Sequence, residues 1–471
     1  MKKSSFSPYI AIHSIKKLKD SDGNVTSRVR SSEDTFKQTS PVCDTIGITR
    51  IADITYMDKL YIPNYSAFLP GTEDTIWVYG GKGHSKINAK TSALMESIER
   101  YCSFQSNNCK KIIRGTYYEL SKIYDKVLHS DEVVEPVLDS YNDKTSLVDY
   151  LSGFDILNNI EVLVPAQLVF SRYFPKYSAC IFPYSHTNGL ASGNVIEEAI
   201  CHALFEVIER DAASIADLCS SAIPYTMMRN RTSVEEEKSE LNFQNEKFVD
   251  YGGIFPDVDI TSVIRESEVL KSLVNRFSDC GISLLVKDIT QKDICIPTFV
   301  ATSVEWITAD YGYFAKGYGT HLDAEVALIR AITELSQTRA ANIQGARDDL
   351  RKITYSPNDE IYKRKWQFMR SEFAGEKSNK NQISFCDLAR YKNDDILDDI
   401  NLILNKLKLA GLKRVIIVDL TNPKIDIPVV RAIVPRLETF EIAKLFTDTE
   451  LVMGDRAISY FEKLDNSKQT V

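Results

Sequence analysis

The sequence predicts an α/β fold of the α+β type, assembled from repeated units. Two observations carry the prediction. A strand–turn–strand signature occurs three times, and two copies follow a helical pattern. A glycine turn followed by an apolar helix also occurs three times. Self-similarity of this kind marks supersecondary units that bury their apolar faces against one another. The composition agrees: 471 residues, 44% hydrophobic and 26% charged, form an ordinary globular chain that can bury a large core without disulfides or a structural metal.

Taken in order, residues 1–45 read as a polar lead-in with one short apolar stretch. Gly47 opens the weakest copy of the first signature, through Asp53-Ile54-Thr55 to Ile62-Pro63. Gly281 opens a second, reaching Asp288-Ile289-Thr290 and Ile296-Pro297. Gly411 opens a third, with Asp419-Leu420-Thr421 and Ile427-Pro428. Apolar runs flank a polar cluster in each, as in two strands joined by a turn. Residues 264–279 and 396–410 carry helical periodicity, and Gly281 and Gly411 stand where helices stop. The unit is helix, strand, turn, strand.

The second repeat begins at Gly81-Lys82-Gly83, at Asn188-Gly189 and at Gly317-Tyr318-Gly319. Its helices read Ala93-Leu94-Met95-Glu96-Ser97-Ile98-Glu99-Arg100, then Ala203-Leu204-Phe205-Glu206-Val207-Ile208-Glu209-Arg210, then Ala327 to Glu334. In this alignment Arg330 takes the position of Glu96 and Glu206. Segments 230–247 and 344–382 read as loops or insertions, and Asp465 to Val471 as a frayed tail.

Net charge is −8, from 57 basic and 65 acidic residues. That excludes a broad basic surface for nucleic acid or membrane, yet not a polyanion bound through a metal or a local Arg cluster. No apolar run of membrane-spanning length occurs. Nine cysteines (Cys43, Cys102, Cys109, Cys180, Cys201, Cys219, Cys280, Cys295 and Cys386) are widely spaced without C-x-x-C, as reduced thiols of a cytoplasmic protein are.

The chemistry lies on the repeated helices. Glu96 and Glu99, like Glu206 and Glu209, share a helix face, and Glu198 lies two turns before Glu206. The helices read as apolar nearly all round, and buried carboxylates need a metal or cationic partner. Carboxylates in this arrangement suit Mg²⁺, which takes few protein oxygens together with phosphate oxygens. Arg100, Arg210 and Arg330 could hold phosphates or orient the carboxylates. Asn194 reads as a helix N-cap with Glu197 completing a capping box. His202 reads as core filler or as support for the glutamates. His321 is a candidate for ligand contact or proton transfer. Walker A, dinucleotide-fingerprint and H-E-x-x-H patterns are absent.

These motifs resemble the YcaO family, which uses ATP to activate peptide-bond carbonyls. The signatures stand as Ser92-x-x-x-Glu96-x-x-Glu99-Arg100, Asn194-x-x-x-Glu198 with Glu206-x-x-Glu209-Arg210, and Arg330-x-x-x-Glu334. The resemblance implies a YcaO-like domain over 46–440 around a central ATP site, followed by a C-terminal helix and tail over 441–471. It implies ATP and Mg²⁺ as cofactors. Glu96, Glu99, Glu198, Glu206 and Glu209 would hold metal and nucleotide. Ser92, Arg100, Asn194, Arg210 and Arg330 would complete the nucleotide contacts, and Arg330, Glu334 and His321 would be catalytic. An N-terminal cation and hydroxyl are also implied, with Arg28 or Arg30 and Thr35 or Ser32 as candidates. The implied reaction is O-phosphorylation of a backbone amide. The chain ends without the proline-rich tail of many azoline-forming members, and residues 47–53 and 428–431 look like those of members paired with TfuA-like partners. Thioamide formation on a peptide or protein is therefore expected, with azoline-forming cyclodehydration or a non-catalytic ATP-binding scaffold as alternatives. A separate TfuA-like or E1-like partner is expected, and a homodimer is left open.

Overall fold

Three turns with one chemistry organise the backbone. The computed structural model describes residues 9–19, 26–74, 76–108, 110–220, 255–306, 312–345, 382–439 and 452–460. Tyr61, Cys295 and Asp426, each just before an Ile-Pro pair, share a left-handed φ of 51°, 53° and 55°, a conformation that side chains other than Gly rarely adopt. In each turn an Asp accepts a hydrogen bond from the Thr two residues on: Asp53 from the Thr55 N–H at 3.0 Å, Asp288 from Thr290 at 2.9 Å, Asp419 from Thr421 at 2.9 Å. The same Thr hydroxyl accepts from the backbone N–H of Asn64, Thr298 or Val429. These side-chain bonds are what the repeated Asp-x-Thr encodes.

The first unit runs α1 (Ser32–Thr39), α2 (Val42–Ile46), β1 (Arg50–Asp53), β2 (Asn64–Phe68), β3 (Val78–Lys82) and α3 (Lys86–Ser103). Then come β4 (Ile113–Gly115), α4 (Tyr117–Ile123), β5 (Val148–Asp155), β6 (Ile160–Pro165), α5 (Ala166–Val169), β7 (Leu190–Ser192) and α6 (Ile196–Ser220). The second unit follows β8 (Asp257–Val258) and α7 (Ile260–Glu266). It consists of α8 (Glu268–Asp279), β9 (Ser283–Asp288), β10 (Thr298–Trp306), β11 (Gly312–Thr320) and α9 (Ala324–Gln344). After β12 (Gln382–Ile383), α10 (Ile396–Leu409), β13 (Ile416–Asp419) and β14 (Val429–Ile433) close the third unit, whose remaining strand and helix are β7 and α6. Gly47, Gly281 and Gly411 end the leading helices with φ of 89°, 64° and 85°.

The sheets are β1-β2-β3, β11-β10-β9-β8-β12, and β4-β5-β13-β14-β7 with β6 on β5. Strands β13 and β14 are buried on both faces. Ile416, Val418 and Val429 pack towards Leu94 and Ile98 of α3, and Ile417, Val430 and Ala432 pack towards α6 and α10. A third core joins α8 and α9 to β9–β11.

Two sequence readings need correction. Gly81 and the pair Gly317 and Gly319 are not turns: they lie within β3 and β11. A Cβ on Gly81 would stand 2.1 Å from the Ala89 oxygen and 2.2 Å from the Ala93 nitrogen. On Gly319 it would stand 2.1 Å and 2.5 Å from the corresponding atoms of Ala327 and Ala331. Glycine is there because strand and helix backbones touch. The helix alignment is also displaced. Lys82, Thr320 and Ser192 pair with equivalent residues of the neighbouring strand, and the helices begin four residues later in each unit. Glu334, not Arg330, therefore matches Glu96 and Glu206. Arg330 matches Ser92 and His202, one helical turn earlier.

The described part of the 1–45 lead-in is tied into the fold. The Ile15 N–H donates to Asp395 at 3.0 Å, and the buried Lys17 pairs with Asp399. Segment 230–247, nearly all of 344–382, and 465–471 lie outside the described residues, as does most of 441–471, of which 455–460 are helical. Cys43, Cys102, Cys180, Cys201, Cys280, Cys295 and Cys386 are free thiols. Among the described residues no helix is long and apolar enough to cross a membrane.

Candidate functional site

Helices α3, α6 and α9 each contribute one glutamate at the same position: Glu96, Glu206 and Glu334. Around this trio the remaining charges fall into three groups.

At the start of α6, Asn194 stands two residues ahead of the helix. Its amide donates to Glu198 at 3.1 Å, and its carbonyl accepts from the Thr35 hydroxyl at 2.9 Å. Glu198 also accepts from Arg28 Nη1 at 2.8 Å and lies 3.3 Å from the Val29 nitrogen. Glu197 accepts from the His13 N–H at 2.8 Å. The capping-box reading of Asn194 and Glu197 fails by one residue: the Ala199 N–H bonds to the Val195 carbonyl, so Val195 holds the cap position, and the side chains of Asn194 and Glu197 meet the N-terminal segment. Arg28 and Thr35 are the N-terminal residues at this site. Nothing in the local sequence separates them from Arg30 and Ser32.

At α9, Arg330 Nη2 lies 3.2 Å from His202 Nε2. His202 is held well below its usual range by burial and by the charges of Arg330, Arg28 and Lys82. His321 is buried, 4.8 Å ring to ring from Phe205, and its Nδ1 accepts the Asp323 N–H at 3.0 Å. Burial and Arg330 hold it neutral as well. It is suited to donating a hydrogen bond from Nε2 and ill suited to acting as a base. Glu334 pairs with Lys82 and accepts the Tyr318 N–H at 3.1 Å. Burial raises its carboxyl, but Lys82 and Tyr318 outweigh burial and hold it below its usual range. Lys82 was visible only as a member of a glycine motif.

At the centre the carboxylates are pushed upwards. Glu99 is raised by burial, then by the charges of Glu206 and Glu96, against Arg100 and the Ser192 N–H. Burial raises Glu206 against Arg210, Arg100, Arg431 and Arg330. Glu209 is pushed up to about 7 by burial and by Glu334. Arg100 Nη2 stands 3.7 Å from Glu96, whose side chain is 31% exposed. Ser92 is half-buried one turn before Glu96. Glu96 and Arg100 keep part of their side chains exposed, while Glu209 is buried.

The arrangement fits an anionic ligand with a divalent cation. Arg100 Nε, Arg330 Nε, Glu209 Oε2, and Nε and Nη1 of Arg431 are buried with no hydrogen-bond partner. Such atoms cost about 1–3 kcal/mol each unless a ligand satisfies them. Among the described residues no three His, Cys, Asp or Glu side chains form a ready-made metal site. A hard cation here would complete its shell from phosphate and water oxygens, as Mg²⁺ does.

The YcaO family profile, described as "YcaO cyclodehydratase, ATP- and Mg²⁺-binding", matches residues 80–438. The chain belongs to the YcaO family. An uncharacterised protein of Methanothermobacter thermautotrophicus is 32% identical over 88% of this chain and 95% of its own length. A Rhizobium leguminosarum bv. trifolii protein in the tfuA 3′ region is 28% identical over 86% of this chain and 87% of its own. The fold matches a heterocyclase in complex with substrate and cofactor, with a TM-score of 0.68 and 20% identity. That match covers 94% of this chain and 58% of the heterocyclase. It also matches the YcaO protein of Methanopyrus kandleri bound with AMPPCP and Mg²⁺, with a TM-score of 0.60 and 20% identity over 91% and 97%.

Proposed function

We propose that this YcaO protein is an ATP- and Mg²⁺-dependent enzyme that O-phosphorylates backbone amide carbonyls of a peptide or protein, and that its product is a thioamide. The observation that carries the reading is the trio Glu96, Glu206 and Glu334, ringed by buried guanidinium donors that lack protein partners.

In this reading Glu96, Glu99, Glu206 and Glu209 hold Mg²⁺ together with phosphate oxygens. Arg210 and Arg330 face phosphate, and Arg28, Asn194 and Glu198 close the N-terminal end. Bound Mg²⁺ supplies neutralisation of phosphoryl charge during transfer. The protein's own part is to position the amide oxygen in line with the terminal phosphate and to exclude water. His202 orients Arg330, and Lys82 keeps Glu334 ionised. A sulfur nucleophile adds to the amide carbon, the oxygen takes the phosphoryl group, and phosphate leaves with that oxygen. Support for the sulfur route, and for a separate TfuA-like partner, comes from the Rhizobium relative in the tfuA 3′ region.

The family description favours a second reading, cyclodehydration to an azoline. Intact-mass measurement separates them. Candidate precursor peptides encoded beside the gene are incubated with the chain, its partner, ATP, Mg²⁺ and sulfide. Oxygen-to-sulfur exchange adds about 16 Da and cyclodehydration removes about 18 Da, by the atomic balance of phosphate departure. Absence of AMPPCP binding in excess Mg²⁺ would overturn both readings.

A further inference from the structure

Arg431 is wholly buried in β14, at a position that the other two units fill with Ser66 and Val300. The fold therefore does not require a cation there. Its guanidinium is held at one corner: Nη2 lies 3.0 Å from His186 Nδ1. That nitrogen also accepts the Asn188 N–H at 3.2 Å, so it is the acceptor of the ring. His186 Nε2 faces the buried Glu135 at 3.0 Å. His186 thus holds one corner of the guanidinium and Glu135 stands against the far side of its ring, while Arg431 Nε and Nη1 have no partner. Arg100 lies close enough for the two charges to repel, and its own Nε is unsatisfied. Glu206 and Glu99 face both arginines; Arg100 also faces Glu96 and Asp74, and Arg431 also faces Glu135. With Glu96, Glu99 and Glu206 committed to a divalent cation, Arg100 Nε and Arg431 Nε and Nη1 remain as buried donors without partners. Adjacent like charges with buried free donors call for an anion.

We propose that Arg431 and Arg100 form a two-guanidinium subsite for the terminal phosphoryl group of the nucleotide, with Glu135 and His186 as positioning residues. The inference rests on the nucleotide reading above. A terminal phosphoryl group carries three oxygens and about two negative charges, which matches forked guanidinium donors. The two ends of the site differ in the way this assignment requires. Arg28, at the Glu198 end, is 41% exposed, whereas Arg431 is wholly buried. Glu198 and Glu206 are eight residues apart on α6, about 12 Å along the axis. The enclosed end suits the group that must be kept from water during transfer.

The test compares AMPPCP with ADP, each titrated in excess Mg²⁺ against the full chain and its variants. Arg431→Met should weaken AMPPCP binding about tenfold or more and ADP binding less than about threefold. Arg431→Lys should recover part of the loss, and Glu135→Gln should reproduce it in smaller measure. Equal losses for the two nucleotides, or none, would overturn the assignment and leave the proposed function standing. Failure of the wild-type chain to bind either nucleotide would overturn both. If Arg431→Met does not fold, inorganic phosphate added to the ADP complex gives the second measurement. Phosphate should raise the melting temperature of the wild type more than that of Arg431→Lys, and equal responses would sink the proposal.

Discussion

Helices α6 and α9 hold the same place in their units but carry different charges. Both follow a strand by the same interval. On α6 the inward positions hold Glu198, His202, Glu206, Glu209 and Arg210. On α9 they hold Val326, Arg330, Glu334, Gln337 and Thr338. Only the glutamate at the shared position is common, and its state differs. At Glu206 burial outweighs the four guanidinium groups that face it, whereas Glu334 is held down by Lys82 and Tyr318. Glu334 has a direct ion pair with Lys82. The repeated backbone supplies the convergence, and the departures from the repeat supply the chemistry.

The strongest way to break this comparison is to neutralise the two glutamates separately. Glu206→Gln should cost Mg²⁺-dependent AMPPCP binding about 100-fold or more while raising the melting temperature of the nucleotide-free chain, because burial disfavours the ionised carboxylate by more than the facing guanidinium groups favour it. Glu334→Gln should lower stability by about 1–3 kcal/mol, because Lys82 loses its partner. Equal signs in the two melting curves would erase the distinction.

Next in size is the backbone approach that the units share. Gly81→Ala and Gly319→Ala should each cost about 3 kcal/mol or more, measured by denaturant unfolding, because the added methyl meets helix backbone that cannot give way. Tolerance of either one would show that the contact is not common to both units.

The pH dependence is smaller. Glu209, pushed up to about 7, holds its proton in the folded chain at pH values where the unfolded chain has released it. Its contribution to stability is full below its ordinary value of 4.5 and is lost as pH rises through about 7. Binding of Mg²⁺ with AMPPCP should move the other way, strengthening up to about pH 7 by at most about tenfold per unit, because the ligand must be ionised. Glu209→Gln should flatten the binding profile between pH 6 and about 7. A slope that persists in that variant assigns the titration to another group.

The smallest expected effect tests the N-terminal arm. Thr35→Val removes one hydrogen bond to Asn194 and should weaken AMPPCP binding about 3- to 10-fold without changing the fold. Titration calorimetry would detect it, and an unchanged affinity would exclude Thr35 from the site.

Much of this site was legible because helices that bury acids leave a sequence trace: Glu-x-x-Glu-Arg among apolar residues twice, and glycine at Gly281 and Gly411 to stop helices. Three things were not legible. Gly81 and Gly319 punctuate a sequence just as turns do, and only the packing shows that their lost side chain makes room for a helix. The true equivalence of Arg330 depends on strand pairing, which outweighs the resemblance between Ala-Leu pairs one turn apart. Arg28, Thr35 and Arg431 reach the site from segments far away in the chain, and no local period marks a long-range contact.

The third unit is the one whose parts are separated in the chain. Ser192 at the end of β7 pairs with Val429 of β14, 237 residues later, which corresponds to about 10–50 s of synthesis. During that interval α6, the helix with the most acids at the candidate site, has β7 beside it but not β14. Strands β10 and β11 and helix α10 reach it first, and Arg28, Arg100 and Arg330 also precede β14 in the chain. The wholly buried Arg431 comes last, on β14. Chains stopped short of β14 would leave the sheet side of α6 uncovered and the candidate site without that guanidinium.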